Sequence, residues 1–86
     1  QYAALVHMFA QVSGLKVGEL VHVIADAHIY DRHIPVVEKM LNSEEHPAPQ
    51  FIMNKDVKNF YDFKVEDFAL VGYEYNKIDE KFEVAV

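Results

Sequence analysis

The sequence has no cysteine. Disulfides, thiolate metal sites and thiol nucleophiles are therefore excluded from this chain. Its three glycines stand singly, so there is no Gly-rich phosphate loop. The single arginine, Arg32, gives no cluster able to clamp a phosphate. The two serines, Ser13 and Ser43, both sit beside turn signals, and no nucleophile–base pairing is evident. Positive charge is scarce, with 8 Lys and Arg against 14 Asp and Glu and a net charge of −6. That balance argues against a nucleic-acid or anionic-membrane surface. No apolar run approaches the roughly 20 residues needed to span a bilayer, and no signal-peptide pattern opens the chain.

What is present is enough for one domain at most, in 86 residues that are 51% hydrophobic. A chain this short buries only about 60–65% of its unfolded surface, so the core is thin. Helical periodicity begins at once after Gln1, with no cap residue ahead of it. That is the pattern expected of a piece of a longer protein.

Residues 20–30 organise the rest. Their odd positions, Val21, Val23, Ala25, Ala27 and Ile29, are apolar. Their even positions include His22, Asp26, His28 and Tyr30. Strict alternation predicts a strand with one apolar packing face and one polar face. The polar face is either solvated or the floor of a site.

Tyr2, Leu5, Val6, Phe9, Ala10 and Val12 predict a helix over 2–13, ended by Gly14. That helix should cover Val21, Val23 and Ile29, with His7 at its surface. Ile34, Val37, Met40 and Leu41 predict a second helix within 31–42. Asp31 is a candidate cap, and Pro35 restricts the start to its first turn. The stretch 42–49 reads as an exposed loop. Phe51-Ile52-Met53 reads as a short strand, 57–61 as one helical turn, and 69–73 as a buried strand lying beside 20–30. The tail from Glu74 is acidic but ends apolar, at Val84-Ala85-Val86.

Asp26, His28 and Tyr30 lie at i, i+2 and i+4, about 7 Å apart along a strand. They offer an acceptor, an amphoteric imidazole and a phenol, which suits a hydroxylated ligand. The plainer reading is a strand face bonded to neighbouring loops. His22, Asp26, His28 and His33 match no zinc spacing, so no metal is expected.

At Asp26-Ala27-His28-Ile29-Tyr30 the chain resembles the C-terminal part of thymidylate synthase. The resemblance runs from Gln1-Tyr2-Ala3-Ala4-Leu5-Val6-His7-Met8 with Ala10-Gln11 through Gly14-Leu15-Lys16-Val17-Gly18. It continues through His33, Pro47-Ala48-Pro49, Tyr61-Asp62-Phe63, Glu66-Asp67-Phe68 and Gly72-Tyr73 to Val84-Ala85-Val86. Two positions depart: Ala25 stands where the family often has Gly, and Arg32 where it often has Asn.

The resemblance implies an α+β fold, residues 1–86 being the C-terminal segment of a single mixed-sheet α/β sandwich domain. It implies a methyltransferase that converts dUMP to dTMP with 5,10-methylenetetrahydrofolate as carbon and hydride donor. It also implies a homodimer and a cytoplasmic location. The family's catalytic cysteine, phosphate-binding arginines and pyrimidine-reading asparagine all lie upstream of Gln1. No catalytic residue is thus expected in this chain. His28 and Tyr30 would bind the deoxyribose 3′-hydroxyl. Ala85 and Val86 would close over folate and nucleotide as a lid. A pyrimidine nucleotide hydroxymethylase of the same fold, or a non-catalytic binding or assembly module, are the competing readings.

Overall fold

In a computed structural model, which describes residues 1–84, the chain forms α1 (Tyr2–Ser13), α2 (Ile34–Leu41), β1 (Gln50–Met53) and β2 (Phe68–Val71). Three short 3₁₀ turns, Asp31–His33, Phe60–Asp62 and Val65–Asp67, join them. No side chain caps the start of α1, in keeping with its lack of a Ser, Thr, Asp or Asn there. At its other end Gly14 takes φ 70°. The amides of Gly14 and Leu15 donate to the Gln11 and Ala10 carbonyls at 3.4 and 3.0 Å. This 6→1, 5→2 pair needs a left-handed residue, and glycine adopts that at no steric cost.

α2 starts at Ile34, with Pro35 in its first turn, where a missing N–H removes no helical bond. Asp31 opens the preceding 3₁₀ turn and makes no capping bond. β1 and β2 pair antiparallel, with Gln50 opposite Val71 and Met53 opposite Phe68. β2 stops at Val71, one residue ahead of Gly72 at φ 72°.

What core there is consists of a closed circuit of rings. Phe9 of α1 stacks on Phe60 at 4.8 Å. Phe60 meets Phe63 at 6.4 Å, Phe63 meets Phe68 at 5.3 Å, and Phe68 stacks on Phe51 at 5.8 Å. His7 then stands edge-on to Phe51 at 5.0 Å and returns the circuit to α1. His7 is thus half-buried, where the helical pattern had put it at the surface. Gln11 fixes the same face by donating to the carbonyls of Asn54 and Val57, both at 2.9 Å.

The central expectation is corrected. Residues 20–30 form no ladder with any described residue and carry a bend at 25–26. They do not lie in the sheet beside 68–73; β2 is paired by β1. Val21 and Val23 are 79% and 81% exposed, and Ile29 is exposed as well, so α1 does not cover them. The start of α1 does reach this stretch, where the Tyr2 ring meets His22 at 6.1 Å. The physical reason is that alternation fixes which side chains share a face but supplies no partner. An edge without a neighbour keeps its N–H and C=O groups on water.

The same lack of cover appears throughout. Ala10 is the only buried residue among those described. The radius of gyration is 17.0 Å, against about 12 Å for a compact domain of this length.

Candidate functional site

His28 and Tyr30 do come together. Their ring centroids lie 5.7 Å apart with the planes tilted by 31°. That is the side-by-side placement expected for i and i+2 of an extended backbone. The His28 Nδ1 lies 3.2 Å from the Asp26 carbonyl oxygen. Nδ1–H donates there, which leaves Nε2 free to accept from a ligand hydroxyl. The Asp26 carboxylate is farther, at 3.8 Å, and almost wholly exposed, so it acts weakly on the ring.

Behind the pair, Tyr30 packs against His33 at 5.3 Å, and His33 stands edge-on to Phe82 at 5.1 Å. His28, Ile29, Tyr30, His33, Val37 and Phe82 line an open cleft of about 270 Å³. The His33 Nε2 is buried and has no hydrogen-bond partner among the described residues. Such a group is ordinarily matched by a further polar group or water.

Sequence reading missed how the tail reaches this cleft. As the tail advances, its partners step backwards along α2 and its flanks. Glu74 lies 3.5 Å from His46. Asn76 meets His46 Nε2 at 3.1 Å and donates to the Glu44 carbonyl at 2.8 Å. Glu80 accepts from Lys39 at 2.7 Å. Phe82 meets His33, and the Glu83 carbonyl accepts from Arg32 at 3.1 Å. Residues 74–83 therefore form a strap running antiparallel to 32–46. No local pattern marks these pairs, because each joins positions about thirty to fifty residues apart.

The strap is polar and charged. The Lys39 hydrogen bond holds the Glu80 carboxyl below its ordinary range, and the same bond raises the Lys39 ammonium. Elsewhere, Asp67 is held low by the Asn54 side chain at 2.9 Å and the Lys64 amide at 2.8 Å. This fixes the turn that aims β2.

Of the candidate residues, His28 and Tyr30 share the cleft, and Asp26 lies outside its lining and contacts the His28 ring. His22 lies apart, against Tyr2. Among the described residues no three His, Asp or Glu side chains gather as a metal set would. Ala85 and Val86 lie outside the described residues.

The fold and the site define an α+β segment in which an imidazole–phenol pair and a strapped tail meet at one cleft. Its family follows from comparison. The family model for thymidylate synthase matches residues 1–86. A thymidylate synthase of Bacillus licheniformis is 45% identical over all of this chain, which covers 30% of that relative. The solved thermostable thymidylate synthase A of Bacillus subtilis superposes with a TM-score of 0.92 at 41% identity. There 99% of this chain is covered and 30% of the other. The chain belongs to the thymidylate synthase family and spans 30% of the length of these relatives.

Proposed function

We propose that the protein to which this segment belongs is a thymidylate synthase, and that the segment supplies its sugar contacts and its closing tail. The reaction is methylation of dUMP to dTMP, with methylenetetrahydrofolate giving both carbon and hydride. Attack on the pyrimidine needs a nucleophile, and the chain has no cysteine. The segment's part is therefore binding and positioning. Residues 1–86 act as the C-terminal part of one domain, within a cytoplasmic homodimer. Both named relatives are synthases, so the hydroxymethylase and the non-catalytic module are not favoured.

The observation that carries the reading is the His28–Tyr30 pair, 5.7 Å between rings, in a chain of this family. One sugar hydroxyl can donate to His28 Nε2 and accept from the Tyr30 phenol. Where bound reactants exclude water, both groups then have a partner only when the hydroxyl is present. A ligand lacking that hydroxyl leaves a polar pair unmatched, at about 1–3 kcal/mol.

The tail is read as the lid, with Ala85 and Val86 closing over folate and nucleotide. Closure excludes water and fixes the reactants, so its effect falls on chemistry more than on first binding. No described helix is long and apolar enough to cross a membrane.

The test is tritium release from 5-tritiated dUMP by the full-length protein, with and without Val86. The reading expects turnover that depends on methylenetetrahydrofolate, severely reduced by the deletion, with nucleotide affinity within a few-fold. No turnover in the intact protein would sink the synthase assignment. Normal kcat with a lowered melting temperature would sink the lid.

A further inference from the structure

Two consecutive residues of the 3₁₀ turn Asp31–His33 each make the same double contact. Arg32 holds its guanidinium carbon 5.7 Å over the Tyr30 ring and donates from Nη2 to the Glu83 carbonyl at 3.1 Å. His33 packs on the Tyr30 ring at 5.3 Å and on Phe82 at 5.1 Å. Consecutive tail residues are thus tied, through consecutive turn residues, to one tyrosine.

We propose that Arg32 is a positioning residue that registers the tail at Glu83 against Tyr30, so that occupancy of the Tyr30 cleft and order of the tail are coupled. The proposal rests on the reading of Tyr30 as a nucleotide contact and adds the link between that contact and the tail. A guanidinium suits the task because its planar fork has separate donors for separate partners while its face lies on a ring. The direct bond to the Glu83 backbone carries the register. The ion pair to the Glu83 carboxylate, at 3.9 Å with both side chains largely exposed, adds little. Glu80 on Lys39 holds the strap upstream, so Arg32 governs only its last described residues.

Coupling follows from the shared ring. Tyr30 has His28 on one side and His33 and Arg32 on the others. A ligand that fixes the phenol restricts the guanidinium, and with it the Glu83 carbonyl. The reverse holds by linkage. An Asn at this position would be too short to cover the ring and reach Glu83 together.

The experiment is hydrogen–deuterium exchange of residues 80–84 in the full-length protein, with and without dUMP, for the parent, Arg32→Asn and Arg32→Lys. Arg32→Asn removes the guanidinium from an exposed position and keeps a polar side chain there, which guards against simple misfolding. The expected result is that dUMP slows tail exchange in the parent, and that Arg32→Asn abolishes most of this slowing. Arg32→Lys should keep part of it, and the melting temperature should hold within about 2 °C. KM for methylenetetrahydrofolate should rise while affinity for dUMP changes less. Tail protection equal to the parent in Arg32→Asn would overturn the proposal, as would faster exchange spread over the whole protein. If the parent binds no dUMP, the nucleotide reading falls. Tail exchange without ligand, faster in Arg32→Asn only at 80–84, would then still support the tether, and unchanged exchange would overturn it.

Discussion

Lys39 Nζ lies 2.7 Å from Glu80 Oε1, joining α2 to the tail across 41 positions of sequence. The pair is the middle fastening of the strap that carries the tail back to the His28–Tyr30 cleft.

Its pH response follows from the two shifts. Glu80 is held below its ordinary value of 4.5, so its contribution is present above that pH and is lost as pH falls through the lowered value. Lys39 is raised above its ordinary 10.5, so its contribution is full below that pH and is lost as pH rises through the raised value. Tail protection should therefore be flat between these limits and fall on the acid side below 4.5. Glu80→Gln should remove that acid step. Both groups are exposed, so the step should be small and weaker in high salt. Amide exchange of 78–82 from pH 3 upward measures it.

Tyr30→Phe keeps the ring contacts with His33 and Arg32 and removes the phenol. In the full-length protein, KM for dUMP should rise by about five- to a hundred-fold. kcat should fall less, as expected for loss of binding shared by ground and transition states. Steady-state kinetics decide it; kcat abolished at unchanged KM would contradict the role.

Gly14 and Gly18 make a matched comparison. Neither has an atom within 4 Å of where a Cβ would sit, but Gly14 is at φ 70° and Gly18 is not in the left-handed region. Gly14→Ala should therefore cost about 1 kcal/mol from backbone strain alone. Gly18→Ala should be neutral or slightly stabilising. Chemical denaturation of the full-length protein compares the two. Equal losses would mean that the left-handed conformation at Gly14 does not set the cost.

The isolated 86-residue chain should lack synthase activity, since it holds no thiol. It should also self-associate. Val21, Val23 and Leu41 are at least 79% exposed, and the outer edges of the two-stranded sheet are unpaired among the described residues. Sedimentation showing a compact monomer, or turnover above background, would contradict these expectations.

The sequence by itself determined what depends on near neighbours. The span of α1 and its stop at Gly14 follow from helical spacing and one left-handed residue. β1 follows from a short apolar run between polar segments, and the start of α2 from Pro35. The pairing of His28 with Tyr30 follows from two-residue alternation, which holds in extended backbone whether or not a ladder forms. The family was legible because Asp26, His28, Tyr30 and the terminal Val-Ala-Val stand at fixed spacing.

Only the tertiary structure decided what depends on partners. Alternation in 20–30 could not say that no described strand lies beside it, since pairing is a property of two segments. His7 looked like a surface residue because helical phase does not reveal Phe51 opposite. The strap was invisible because Lys39–Glu80, Asn76–Glu44 and Arg32–Glu83 are contacts between distant residues of ordinary surface type. Such residues earn a partner only when the chain folds back, and it is that return which brings Glu83 beside Tyr30.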